Sequence, residues 1–192
     1  MSKEKEQLVI GIDLGNNSTK ICSVLHNDEP NSHPKILDNI KIETKGIFRT
    51  NIIDIDKVCE TIFEGIKRLK NTKMNEKTNF IVSINSSKTF SIINNSVITK
   101  NSINNEIDSI DLDKLLKDST LAVSTSTFKN CRIIQTIPIK YKIDNIDVYD
   151  YPIGMQGKRI EARFLYILCP NIYIERLENI FENLNIKISE FV

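Results

Sequence analysis

Residues Leu8-Val9-Ile10-Gly11-Ile12-Asp13-Leu14-Gly15-Asn16-Asn17-Ser18-Thr19-Lys20-Ile21-Cys22-Ser23-Val24 run apolar, turn polar around a glycine, and run apolar again. This pattern predicts a β-hairpin with a carboxylate near its tip. Gly15 lacks a Cβ, so it can take positive φ or let a ligand approach the backbone, and Asn16, Asn17, Ser18 and Thr19 offer small donors beside the N–H groups of the turn. Such a turn can cradle a phosphate. Asp13 would repel a bare phosphate but can hold Mg²⁺ through its water shell, because that ion keeps several waters and takes a carboxylate or two together with phosphate oxygens. Lys20 adds a positive charge. An ordinary hairpin whose Asp and Asn side chains make Asx turns fits the same residues, and the local pattern leaves both readings open.

Composition narrows the rest. With 192 residues, 40% of them hydrophobic, the chain can bury a real core and can form one domain or two small ones. Its 26 basic and 25 acidic residues are interspersed and leave a net charge of +1, which gives no electrostatic footprint for nucleic acid or anionic lipid. The short apolar run after the lysine-rich start is interrupted by Asp13, so it does not read as a signal peptide. No apolar stretch approaches the roughly 20 residues that span a bilayer. A cytoplasmic chain is the expectation. Cys22, Cys59, Cys131 and Cys169 form no Cys-x-x-Cys pair and no cluster with His26 and His33, so they read as reduced core residues. Neither histidine neighbours a plausible nucleophile, which argues against a hydrolytic triad.

Working outward from the hairpin, residues 35–43 alternate as a third strand, completing a meander. After a short irregular link, Asp54 is placed to cap a helix with Ile55, Val58, Cys59, Ile62, Phe63, Ile66 and Leu69 on one face. Polar residues 71–78 end it and suit a subdomain boundary. Strands are predicted at 79–84 and 89–98, a polar loop at 99–110, and a helix from Asp111 through Leu112, Leu115 and Leu116. Residues 132–141 read as a strand in which Pro138 demands an edge or a bulge. A long polar excursion over 144–157 precedes a strand at 160–168 and a helix at 171–184 with Tyr173, Leu177, Ile180, Phe181 and Leu184 inward. Residues 186–192 begin another apolar strand, as a chain cut short would.

Two segments carry a family resemblance. The hairpin resembles the first phosphate loop of the superfamily that joins actin, heat-shock chaperones and sugar kinases: an apolar strand, Asp-x-Gly, then small polar residues. More specifically, Ile137-Pro138-x-x-Tyr141-x-Ile143-Asp144, followed by Tyr151-Pro152-Ile153-Gly154-Met155-x-Gly157-x-Arg159-Ile160-x-Ala162, is similar in order and spacing to the cell-division protein family FtsA. The resemblance runs over essentially the whole chain and implies an α/β fold. That fold is a partial actin-like (ribonuclease H-like) subdomain IA, residues 1–78 and 168–192, carrying an inserted α+β SHS2 (1C) module at 79–167.

The resemblance implies an adaptor rather than an enzyme. FtsA-like proteins bind ATP with Mg²⁺, polymerise, link the ring protein FtsZ to the inner face of the membrane at the division site, and recruit later division proteins. The implied nucleotide contacts are Asp13, Gly15, Asn16, Asn17, Ser18, Thr19 and Lys20, with Asp13 toward Mg²⁺ through water; there is no implied catalytic residue. Asn16 stands where the superfamily often has Thr or Ser, and its amide can still donate to a phosphate oxygen. A second phosphate loop, an adenosine segment, the FtsZ-gripping subdomain and an amphipathic membrane tail would lie past Val192. The expectation is therefore weak or absent ATP binding, no FtsZ or membrane contact from this stretch, and retained protein contact or self-association through the module, at residues 99–110 and 144–157. A PilM-like pilus adaptor and a sugar-kinase-type phosphotransferase fragment are the alternatives.

Overall fold

In a computed structural model, residues 6–27, 33–101 and 105–192 are described. The predicted loop at 99–110 lies partly outside that set. Strict alternation along β1 (Gln7–Leu14) buries Leu8, Ile10, Ile12 and Leu14 and leaves Val9, Gly11 and Asp13 half-exposed. One face of this strand therefore belongs to a core and the other does not. β2 (Ser18–His26) and β3 (Lys35–Glu43) follow as the antiparallel meander. The link read as irregular is a short hairpin, β4 (Ile47–Phe48) and β5 (Asn51–Ile52). Two-residue strands are too brief to leave a period-2 signature.

The helix α1 (Ile55–Arg68) starts where Asp54 accepts a bond from the Lys57 N–H, which satisfies one of the unpaired donors of a helix start. It buries Val58, Thr61, Ile62, Gly65 and Ile66. Phe63, expected inward, is exposed, and Gly65 takes the packing face instead. A Cβ on Gly65 would sit 2.5 Å from Ile21 Cδ1, so the glycine lets the helix lie close on the meander. β6 (Asn79–Val82) pairs parallel with β1, and β11 (Ile188–Phe191) pairs parallel with β6. The five-stranded order is β11-β6-β1-β2-β3. Ile10, Ile12, Val82, Val58 and Ile62 share one core with Ile180 and Phe181 of α3 (Asn171–Asn183).

The chain separates into two compact units, one comprising the residues up to Ser87 together with Ile172–Val192, the other Lys88–Asn171. The strand at 79–84, read as the front of the inserted module, hydrogen-bonds into the first sheet, so the compact second unit begins at Lys88. Parallel pairing to a strand some seventy positions earlier has no local sequence signal.

The second unit is a four-stranded sheet in the order β7-β10-β8-β9, from β7 (Phe90–Thr99), β8 (Cys131–Ile143), β9 (Ile146–Val148) and β10 (Arg159–Pro170). Against it packs α2 (Ser109–Ser124), with Leu112, Leu115 and Val123 buried beside Phe164, Tyr166 and Leu168. The helix begins before Asp111, because Asp108 is its cap and the two carboxylates form a reciprocal capping box. Pro138 sits at a register shift in the β8–β10 ladder and on the part of β8 that β9 does not cover, which meets both conditions its missing N–H imposes. Of the four cysteines, all of them free thiols, Cys169 is buried and the other three are half-buried.

Candidate functional site

The pleat of β1 and β2 sorts the predicted contacts onto two faces. Asp13 and Lys20 are cross-strand partners on the face away from the helices. Lys20 Nζ lies 2.9 Å from Asp13 Oδ2, and the Ser83 hydroxyl donates to Asp13 Oδ1 at 2.9 Å. The Lys20 ammonium, helped by the Ser83 bond and opposed by partial burial, holds the Asp13 carboxyl below the ordinary carboxylate range. Thr19 faces the core instead. It is fully buried and its hydroxyl shares a 2.8 Å bond with that of Thr44. It cannot join Asp13 around one ligand, since adjacent strand residues point to opposite faces. Lys20 is engaged with Asp13 and is not a free cation for the turn.

The turn is held from three sides. Gly15 N–H donates to Ser18 O at 3.2 Å, and Thr44 N–H donates to Asn17 O at 3.2 Å. Gly15 does not take positive φ; only Gly46 and Gly154 do so among the described glycines. Its requirement is steric, because a Cβ would lie 2.7 Å from Ser18 O. Asn16 and Asn17 are exposed at the tip. The Asn16 Oδ1 accepts the Thr50 N–H at 2.7 Å, a contact from the β4–β5 hairpin that the sequence reading missed. Arg49 and Thr50 have φ of 47° and 63°. Both central residues of this turn thus occupy a region normally filled by Asn-Gly, and a β-branched Thr there is strained by on the order of 1–3 kcal/mol.

Chemically, the cluster of Asp13, Lys20, Ser83, Asn16 and Asn17 offers an ionised carboxylate beside amide and hydroxyl donors. Mg²⁺ fits as a hydrated ion arriving with phosphates, because Asp13 is the one carboxylate in the cluster and accepts bonds through both oxygens already. Among the described residues no group of three or more His, Cys, Asp or Glu could hold a metal by itself. Ser83 was missed because it follows β6 as Asp13 follows β1's buried core, and only the parallel pairing brings the two strand ends together.

In the second unit the segments that carry the family resemblance are hydrogen-bonded to each other and to residues 105–107. Gly154 N–H donates to Ile107 O, Ile107 N–H to Met155 O, and Gly157 N–H to Asn105 O, at 2.9, 2.8 and 3.1 Å. Lys100 Nζ bonds both the Glu106 carbonyl and the Asp111 carboxylate in a largely buried ion pair. Burial pushes the Asp111 carboxyl up, but Lys100 and the Asp108 N–H outweigh it and lower it overall. Asp144 opens the β8–β9 turn at φ 45° and accepts the N–H groups of Lys158 and Arg159, the latter at 2.8 Å. These two bonds hold its carboxyl below the usual range. Gly157 is needed because a Cβ would meet Ile143 Cγ2 at 2.1 Å. The described parts of the two loops predicted as a contact surface are therefore laced together, with Ile110, Tyr151, Ile153 and Met155 exposed. Among the described residues no helix is long and apolar enough to cross a membrane.

Comparison with known proteins bears on the second unit and on the fold. Residues 80–168 match the family model described as the SHS2 domain inserted in FtsA. Cell division protein FtsA of Buchnera aphidicola (subsp. Schizaphis graminum) is 24% identical over 98% of this chain and 44% of its own length. FtsA of Helicobacter pylori is 26% identical over 98% and 42%, and FtsA of Streptococcus pneumoniae 23% over 98% and 40%. The chain thus spans under half the length of these curated relatives. A solved PilM-PilN type IV pilus biogenesis complex superposes with a TM-score of 0.52 over 95% of this chain and 46% of its own, at 8% identity, which is a likeness of fold alone. In sequence the chain is thus similar to FtsA over nearly its whole length, residues 80–168 are similar to the SHS2 domain inserted in that protein, and the architecture is a partial actin-like α/β fold.

Proposed function

We propose that this chain serves in cell division as an adaptor rather than an enzyme, with the second unit as its protein-contact surface. In this reading it also carries half of a site for ATP with Mg²⁺. It works in the cytoplasm, at the inner membrane face of the division site, and its partners are other division proteins or further copies of itself. What supports the reading is the match of residues 80–168 to the SHS2 domain, joined to the laced loops that hold Tyr151 and Ile153 out at 68% and 52% exposure. Ordered backbone that presents apolar side chains to solvent suits recognition of another protein.

Nucleotide binding by this cluster should be weak. Its one acid and one lysine neutralise each other, so the turn offers hydrogen-bond donors without net positive charge. Each 1.4 kcal/mol of absent contact lowers affinity about tenfold. A fluorescently tagged copy in a dividing bacterium is expected to gather at the septum. The folded double variant Tyr151→Ser/Ile153→Ser is expected to stay diffuse. A diffuse wild-type copy beside an intact ring would overturn the proposal.

A further inference from the structure

We propose that Thr50 is a positioning residue that joins the anion-binding turn to the exit of the first unit, so that occupancy of the turn is felt at Ser87. The inference rests on the reading of residues 13–20 as half a nucleotide site. Thr50 N–H donates to Asn16 Oδ1 at 2.7 Å. An asparagine amide has one acceptor oxygen, and with that oxygen committed the NH₂ group is left as a donor, the polarity a phosphate oxygen requires. On its other side, Thr50 Oγ1 donates to Arg49 O at 2.6 Å and accepts the Ser87 N–H at 3.3 Å. Ser87 is the last residue of the first unit before the chain passes to Lys88. One residue thus connects the phosphate turn to the departing chain.

The backbone of Thr50 makes this connection responsive. At φ 63° a β-branched residue is held only while its surroundings over-determine it. The Asn16 and Ser87 bonds are those surroundings, and release of one frees the turn to relax and weakens the other. In this proposal the strained turn is the element whose bonded and relaxed arrangements couple the two positions. An anion accepting from the Asn16 NH₂ would immobilise the amide and polarise its oxygen toward the Thr50 N–H, since linked hydrogen bonds strengthen one another.

Amide hydrogen exchange measured by NMR on the whole chain, without and with millimolar Mg·ATP, tests the idea. Asn16→Ala should speed exchange at Ser87 about five-fold, the worth of roughly one net hydrogen bond. Asn16→Asp keeps the acceptor and should leave Ser87 near wild type while abolishing any ATP response. Thr50→Ser should behave as wild type. Thr50→Gly, which tolerates positive φ but lacks the hydroxyl, should deprotect Ser87 and keep Thr50's own N–H bond at that position. In the wild type, ATP should slow exchange at Ser87. Unchanged Ser87 exchange in both Asn16→Ala and Thr50→Gly would overturn the proposal, as would ATP shifting residues 13–20 with no effect at Ser87. If ATP moves nothing while Asn16→Ala still deprotects Ser87, the tether stands and the nucleotide reading fails.

Discussion

At the residue scale, the reading of Asp13 changes most once its neighbours are known. Its two oxygens are bonded to Lys20 and Ser83, and its carboxyl titrates below the usual range chiefly because of the ammonium. A depressed folded value means that Asp13 contributes stability above its unfolded pKa of about 3.9 and loses that contribution as pH falls through the lower folded value. The pair is well exposed, so solvent screening keeps the contribution small. Lys20→Met is expected to raise the Asp13 pKa toward its ordinary value with little change in melting temperature. A carboxyl-carbon NMR titration checks this, and an unmoved pKa would show that Ser83 rather than Lys20 sets it. Thr19 shows the opposite limit of sequence reading. Its identity suits a phosphate turn, but its place in the pleat gives its hydroxyl to Thr44 inside the fold.

At the scale of elements, the motif that carries the resemblance to FtsA is a packing device. Tyr141 and Ile143 are buried in β8, Asp144 turns the chain and takes two backbone N–H groups, and Gly157 yields the room that Ile143 fills. Gly157→Ala would place a methyl within 2.1 Å of a buried Ile143 side chain that cannot swing aside. Overpacking of this kind costs about 1–3 kcal/mol. A melting temperature lower by roughly 10 °C is expected, on the scale of about 4–8 °C per kcal/mol for a small domain. Calorimetry reads it, and an unchanged transition would mean that the 105–107 and 154–157 loops shift freely. The β4–β5 hairpin is the element the sequence concealed. Two strands of two residues with Arg-Thr at the turn display neither alternation nor a glycine, so turn chemistry pointed nowhere.

For the whole molecule, two separate cores make a prediction about folding. Phe90 and Leu168 are register partners on β7 and β10, so the ends of the second unit lie side by side. Among the described residues, its core is built from positions between Phe90 and Leu168. Residues 88–171 excised alone should fold with one cooperative transition by circular dichroism; a broad, non-cooperative melt would show that the first unit is needed to complete them. Much of this architecture was legible beforehand. The meander, α1 with its Asp54 cap, α3 and the bulge demanded by Pro138 follow from alternation, helical spacing and missing donors, all of which act within a few residues. The sequence by itself also carried the resemblance to FtsA, because the spacing from Ile137 to Ala162 reports a local packing problem. What only the tertiary structure decided are the pairings between distant segments: β6 beside β1 and β11 beside β6, Ser83 against Asp13, Thr50 against Asn16 and Ser87, and the joining of 105–107 to 154–157. The physical reason is that local propensity fixes which strands form, whereas parallel partners and turn contacts are chosen by the burial of a shared core, a quantity no single stretch of sequence carries.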